Sequence, residues 1–98
     1  MHYVIFTRTD QTPDAELGHY LANVGATLDP FYGRLLTFGE PERLEGETRY
    51  TRTALLEFPT EDDARAWYRS PAYQELVHWR TQALGHSVDI NLLTGAAA

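Results

Sequence analysis

The sequence predicts an α+β fold: an antiparallel four-stranded sheet with helices on one face. Three observations predict it. The apolar run Leu55-Leu56-Glu57-Phe58 is cut off by Pro59-Thr60, and Thr60 then caps a helix. Ser70-Pro71 interrupts that helix and starts another. The order strand–helix–strand occurs twice along the chain, which is the split β-α-β, or ferredoxin-like, arrangement.

His2 to Arg8 is rich in β-branched and aromatic residues and predicts the first strand. Thr9 to Thr12 is a polar turn. Pro13 suits the first turn of a helix, with Thr12 as its N-cap and Asp14 and Glu16 near the positive end. Leu17, Tyr20, Leu21, Val24 and Leu28 recur at three- and four-residue spacing and make one buried stripe, and Pro30 ends the helix. Gly33 to Phe38 predicts the second strand. Gly39 to Tyr50, with Pro41, Gly46 and mixed charges, predicts a loop or a loose hairpin connection, with room for a short strand of its own.

Thr51 to Phe58 is the third strand. Thr60 caps the next helix, with Asp63 at the capping-box position and Ala64, Trp67 and Tyr68 on its inner face. Ser70 caps the last helix, along which Tyr73, Leu76, Val77, Arg80 and Leu84 share one side, and Gly85 stops it. Val88 to Leu93 is the fourth strand, and the tail from Gly95 is expected to fray. Alternation in the strands assigns Val4, Phe6, Leu36, Phe38, Leu56, Phe58, Val88, Ile90 and Leu92 to the helix-facing side. Tyr3, Ile5, Thr7, Leu35, Thr37, Thr53, Leu55 and Glu57 then face away, on a semi-polar surface expected to be covered by a second copy in a homodimer.

The chain has 98 residues, consistent with one domain over 1–98, near the small end for a self-sufficient core. Its formal net charge of -6 leaves no basic stripe for phosphates, so no nucleic-acid partner is expected. Cysteine is absent, which removes disulfides, thiolate metal sites and cysteine nucleophiles, and fits a reducing cytoplasm. No signal peptide or membrane-spanning run is expected.

The segments Phe31-Tyr32-Gly33-Arg34-Leu35, Leu44-Glu45-Gly46, Leu56-Glu57-Phe58-Pro59 and Ala66-Trp67-Tyr68-Arg69-Ser70-Pro71-Ala72-Tyr73-Gln74 together resemble the domain of unknown function 1330 family. The resemblance runs over nearly the whole chain in the expected order. The family usually has a second glycine where Tyr32 stands, and paired glycines where this chain has Gly39-Glu40. It belongs to the dimeric α/β-barrel proteins, in which two ferredoxin-like sheets pack into one barrel, so the resemblance implies that fold and a homodimer. Wider relatives include cofactor-independent quinol monooxygenases, haem-degrading enzymes, lactone isomerases and polyketide cyclases. This kinship implies a small aromatic or lactone-like ligand. The haem-degrading relatives need an asparagine on strand one, where this chain has Thr7, so no haem is implied.

Candidate residues follow from chemical type. Arg34 and Arg52, near strand ends, can clamp a carboxylate or enolate, or close a barrel end by pairing with Glu57, Glu45 or Asp89. Glu57 is a charge in an apolar strand. It is either a general base or acid, or a buried partner for Arg52 or for an arginine across the dimer. Arg80 shares an apolar helix face with Tyr73 and reaches either a ligand oxygen or a carbonyl. Trp67, Tyr68 and Tyr73 either line a flat pocket or pack the core. His78 and His19 are candidate bases near neutral pH, or exposed surface histidines. The histidines His2, His19, His78 and His86 show no metal-binding spacing, and no metal is expected. No glycine-rich phosphate loop or nucleophile elbow occurs, and no cofactor is expected.

Two functions remain. One is a small cofactor-independent enzyme acting on a compact oxygenated ring or lactone-like metabolite, as isomerase or cyclase, or as a quinol monooxygenase. Glu57 or His78 would then move the proton while Arg34 and Arg80 stabilise negative charge. The other is a non-catalytic dimer that binds a small molecule or a partner.

Overall fold

A computed structural model describes residues 1–85 and 88–96. The expectations for the side chain of Leu84, for His86 and for the last two residues of the tail lie outside the described residues. The strands are β1 (His2–Arg8), β2 (Arg34–Gly39), β3 (Arg52–Phe58) and β4 (Val88–Thr94), and the helices are α1 (Gly18–Leu28), α2 (Glu61–Arg69) and α3 (Pro71–Leu84). The sheet order is β2-β3-β1-β4, and every neighbouring pair is antiparallel. The first and third strands are neighbours at the centre, as the split β-α-β order requires.

The caps explain where the helices begin. Asp63 N donates to Thr60 Oγ1 at 3.0 Å, and Tyr73 N donates to Ser70 Oγ at 3.3 Å. Ser70 sits in extended backbone (φ -62°, ψ 142°), the conformation that a following proline imposes. One residue thus ends α2, caps α3 and sets the break between them. Gly85 closes α3 at φ 64°, a left-handed value that glycine adopts without strain.

The start of α1 differs from expectation. Thr12 is not its cap. A 3-10 turn, Asp14–Leu17, precedes the helix, and no side-chain cap bond occurs at Pro13. Thr12 is drawn elsewhere: its N–H donates to Asp10 Oδ1 at 3.0 Å, and its carbonyl accepts from Arg8 Nη2 at 3.2 Å. The turn is organised around the Arg8 guanidinium, a stronger partner than an uncharged cap.

The core packs between the sheet and the helices. Trp67, Tyr73 and Phe58 are completely buried. The Trp67 and Tyr73 rings have centroids 4.0 Å apart, and Phe58 lies 5.4 Å from Trp67. Each such side chain contributes on the order of 1.5–3 kcal/mol through burial. The indole N–H donates to Thr27 Oγ1, so no polar atom of Trp67 is stranded.

Two expectations about strand faces are corrected. Leu35 pairs with Leu56 but Thr37 pairs with Leu55, so Leu36 is the extra residue of a β-bulge. The alternation therefore slips: Leu35, not Leu36, shares the helix-facing side with Phe38 and Leu56. The tail is also tied further than expected, since Gly95 N donates to Met1 O at 2.9 Å. Residues 40–50 are all exposed and carry no regular strand. Among the described residues, no helix is long and apolar enough to cross a membrane.

Candidate functional site

The two ends of the helix–sheet sandwich differ. Around Trp67 it is filled. Toward the C-terminal end of β1 it encloses a cavity of about 380 Å³, lined by Phe6, Arg8, Leu17, Tyr20, Leu21, Val24, Leu35, Phe38, Arg52, Ala54, Leu56, Arg80 and Val88. The volume lies within the range of small-molecule sites, roughly 300–1,000 Å³. The wall is apolar except for three arginines and one tyrosine.

Arg8 and Arg52 face each other across β1 and β3. Like charges in that register repel, but each guanidinium has its own carboxylate. Arg8 grips Asp10 bidentately, Nε to Oδ2 at 3.0 Å and Nη2 to Oδ1 at 2.8 Å. Arg52 Nε donates to Asp14 Oδ1 at 3.1 Å, and its Nη1 donates to Thr51 O at 2.6 Å. Both arginines are thereby fixed and neutralised.

Arg80 differs. It is buried on α3, yet among the described residues no carboxylate forms an ion pair with it. Its Nη1 donates to Tyr73 Oη at 3.0 Å and, at the limit of bonding, to Tyr20 Oη at 3.5 Å. The two phenol oxygens stand 2.8 Å apart. Arg80 Cζ lies 5.5 Å from the Tyr20 ring centroid, a cation–π distance. Burial raises the pKa of both phenols, more than Arg80 lowers it. Both are neutral hydroxyls at physiological pH.

The expected site residues divide among three places. Arg52 and Arg80 line the cavity. Tyr73 lies in the core and reaches Arg80 through its hydroxyl, while Trp67 is core alone, bonded to Thr27. Tyr68 lines a separate depression of about 180 Å³ with Val4, Arg65, Arg69 and Leu92. Glu57 and Arg34 lie on the opposite face of the sheet, joined at 2.9 Å as cross-strand neighbours. Arg52 therefore pairs with Asp14 and not with Glu57, Glu45 or Asp89, because the bend after β1 brings the start of the 3-10 turn to the start of β3. His78 is exposed, its Nε2 3.1 Å from Gln82 Nε2. His19 is also exposed, beside Trp79.

Arg8 and Tyr20 are site residues that the sequence reading passed over. The signal for Arg8 was the Arg8-x-Asp10 spacing at a strand end. The signal for Tyr20 was a hydroxyl-bearing aromatic on an otherwise aliphatic stripe, facing a second one at Tyr73. Among the described residues, no cluster of three or more His, Asp or Glu is placed to hold a metal ion.

Fold and cavity together define a ferredoxin-like α+β protein with an arginine-rimmed apolar chamber. The chain belongs to the DUF1330 family, a domain of unknown function, which it matches over residues 1–95. No curated protein matches it. Among solved structures it is similar to a dimeric ferredoxin-like protein of unknown function from Jannaschia sp. CCS1 (14% identity, TM-score 0.75, covering 96% of this chain and 98% of the other). It is also similar to a protein of unknown function from Rhodopseudomonas palustris (19%, 0.71, 99% and 84%). A third is SnoaB, a cofactor-independent oxygenase from Streptomyces nogalater (15%, 0.62, 99% and 94%). A putative antibiotic biosynthesis monooxygenase from Nitrosomonas europaea shares the fold as well (14%, 0.65, 99% and 100%). At these identities the likeness is one of fold.

Proposed function

We propose that the protein is a small cofactor-independent enzyme acting on a compact oxygenated ring or lactone-like metabolite held in the 380 Å³ cavity. The observation that carries this reading is Arg80, a buried guanidinium with no carboxylate partner among the described residues, on the wall of an apolar chamber. A cation in such a place stabilises negative charge that develops on a substrate oxygen, because water is excluded and the charge is already oriented. Enolisation, ring closure and oxygenation of a quinol all pass through such an anion. The fold shared with SnoaB, a cofactor-independent oxygenase, supports the oxygenase variant.

The protein works as a homodimer in this reading. The face of the sheet turned away from the helices carries Leu55 and the exposed Leu93, and a neighbour of the same fold is described as dimeric. Glu57 and Arg34 belong to that face and serve the subunit contact, not the chamber. A reducing cytoplasm suits a chain without cysteine.

A second reading is a non-catalytic binding dimer. One observation favours it: no carboxylate or imidazole stands among the described residues of the cavity wall to serve as a general base. The deciding experiment is turnover of a panel of quinols, lactones and enolisable ring ketones, followed by oxygen uptake and product analysis. The enzyme reading expects turnover that falls about a hundredfold in Arg80→Lys. Ligand-induced thermal stabilisation without turnover of any panel member supports the binding reading and overturns the enzyme.

A further inference from the structure

We propose that the cavity selects a monoanion, a compact ring bearing a single carboxylate or enolate, and that Tyr20 is the hydrogen-bond donor that orients it beside Arg80. This deepens the preceding reading in taking the cavity as the ligand site, but it does not depend on turnover.

The charge argument comes first. Three guanidiniums line the chamber. Arg8 and Arg52 are each matched by a carboxylate, Asp10 and Asp14. Arg80 is matched by none among the described residues, whose tally leaves the chamber one unit of positive charge inside a protein whose formal net charge is -6. A buried charge without a counterion is costly and is relieved by a ligand of opposite sign. One excess charge calls for one negative charge. A dianion such as a phosphate monoester would bring a second charge into an apolar wall with nothing to meet it.

The proton argument names the donor. A guanidinium only donates, so both phenol oxygens are acceptors toward Arg80. The 2.8 Å contact between them consumes one hydroxyl proton. The other proton has no acceptor among the described residues. Tyr73 is fully buried away from the cavity wall, so a spare proton there would be stranded without the hydrogen bond a buried donor needs. Tyr20 lines the cavity. The consistent arrangement has Tyr73 donating to Tyr20, and Tyr20 donating into the chamber. No described residue accepts from the remaining nitrogens of Arg80, which are left for the same ligand. Together they form a two-pronged site for one oxyanion, with an apolar wall of Phe6, Val24 and Leu56 for the ring.

The test is calorimetric binding to the intact protein of 2-naphthoate, 2-naphthamide and naphthalene-2,3-dicarboxylate. The expected order has the monoanion tighter than the neutral amide by about tenfold or more, the size of one charge-assisted hydrogen bond. The dianion binds no tighter than the monoanion. Equal affinity for amide and monoanion, a dianion that binds best, or no monoanion binding up to about 10 mM overturns the proposal. For the donor, Tyr20→Phe weakens 2-naphthoate about tenfold, and Tyr73→Phe, which removes a hydroxyl behind the site, weakens it by less than Tyr20→Phe does. Binding unchanged in Tyr20→Phe overturns that half. The ligand series needs no variant, so it decides the charge question even if a substitution unfolds the chain. Monoanion binding without turnover sinks the enzyme reading alone, and turnover of neutral lactones with no preference for anions sinks this one alone.

Discussion

Trp67 Nε1 donates to Thr27 Oγ1 over 3.0 Å, linking residues 40 positions apart on α2 and α1. Thr27 in turn donates to Val24 O at 2.6 Å, so its hydroxyl has both roles filled. Thr27→Val keeps the shape and strands a buried indole N–H. We expect a loss of about 1–3 kcal/mol in denaturant unfolding. Thr27→Ser, which keeps the oxygen, should retain most of the stability; equal losses in the two variants would assign the effect to packing.

The turn into β2 offers a paired prediction. Tyr32 is the only described residue other than glycine with positive φ, at 59°, and its side chain is exposed. Tyr32→Asn relieves a left-handed strain without removing a buried contact, and should raise stability by up to about 1 kcal/mol. Next door, a Cβ at Gly33 would lie 2.6 Å from Phe58 Cε1 and 2.9 Å from Leu28 Cδ2. Gly33→Ala should cost about 1–3 kcal/mol as the core shifts to make room. Thermal unfolding of the two variants in opposite directions is the expected result.

Alkali should act through the buried phenols. Burial raises the pKa of Tyr20 and Tyr73. Below the ordinary phenol value of about 10, folded and unfolded chains both hold these protons and stability does not depend on them. Above it the unfolded chain releases protons that the native state keeps, so stability falls by up to about 1.4 kcal/mol per pH unit for each phenol. Tyr20 and Tyr73 should therefore ionise above the ordinary phenol value in an ultraviolet titration of the folded protein, and Tyr73→Phe should flatten the alkaline slope.

The subunit contact has its own test. Leu93 is 56% exposed in the protomer, at the edge strand β4. Leu93→Glu can do little harm to an isolated protomer, but it would bury a charge between two sheets. Sedimentation should show wild-type dimers and Leu93→Glu monomers of unchanged helix content. A monomeric wild type would remove the dimer.

The helix break at Ser70-Pro71 and the caps at Thr60 and Ser70 were legible because each rests on short-range chemistry, whereas the expected Thr12 cap failed because Arg8 and Asp10 draw that turn to themselves. Thr60, Ser70-Pro71 and Gly85 act on their own neighbours, and the apolar stripe of α1 is a property of spacing. The site was only half legible. Arg52 and Arg80 stood out as cations beside apolar runs, but their partners come from elsewhere in the fold. Arg52 finds Asp14 across 38 positions, and Tyr20 finds Tyr73 across 53. Glu57 attracted attention as a charge in a strand, and the register with Arg34 explains it. The bulge at Leu36 left no mark that alternation detects, since positions 35 and 36 are both leucine and either could face the helices.

That bulge lies on β2, an outermost strand, and it brings Leu35 and Phe38 to the chamber together. β3, β1 and β4 keep continuous registers with one another. Insertion or deletion of a residue near Leu36 would then re-bore the chamber from the side while the three remaining strands hold their alignment. The chamber's shape can thus be altered by editing a single peripheral ribbon, with Arg8, Arg52 and Arg80 left where they stand.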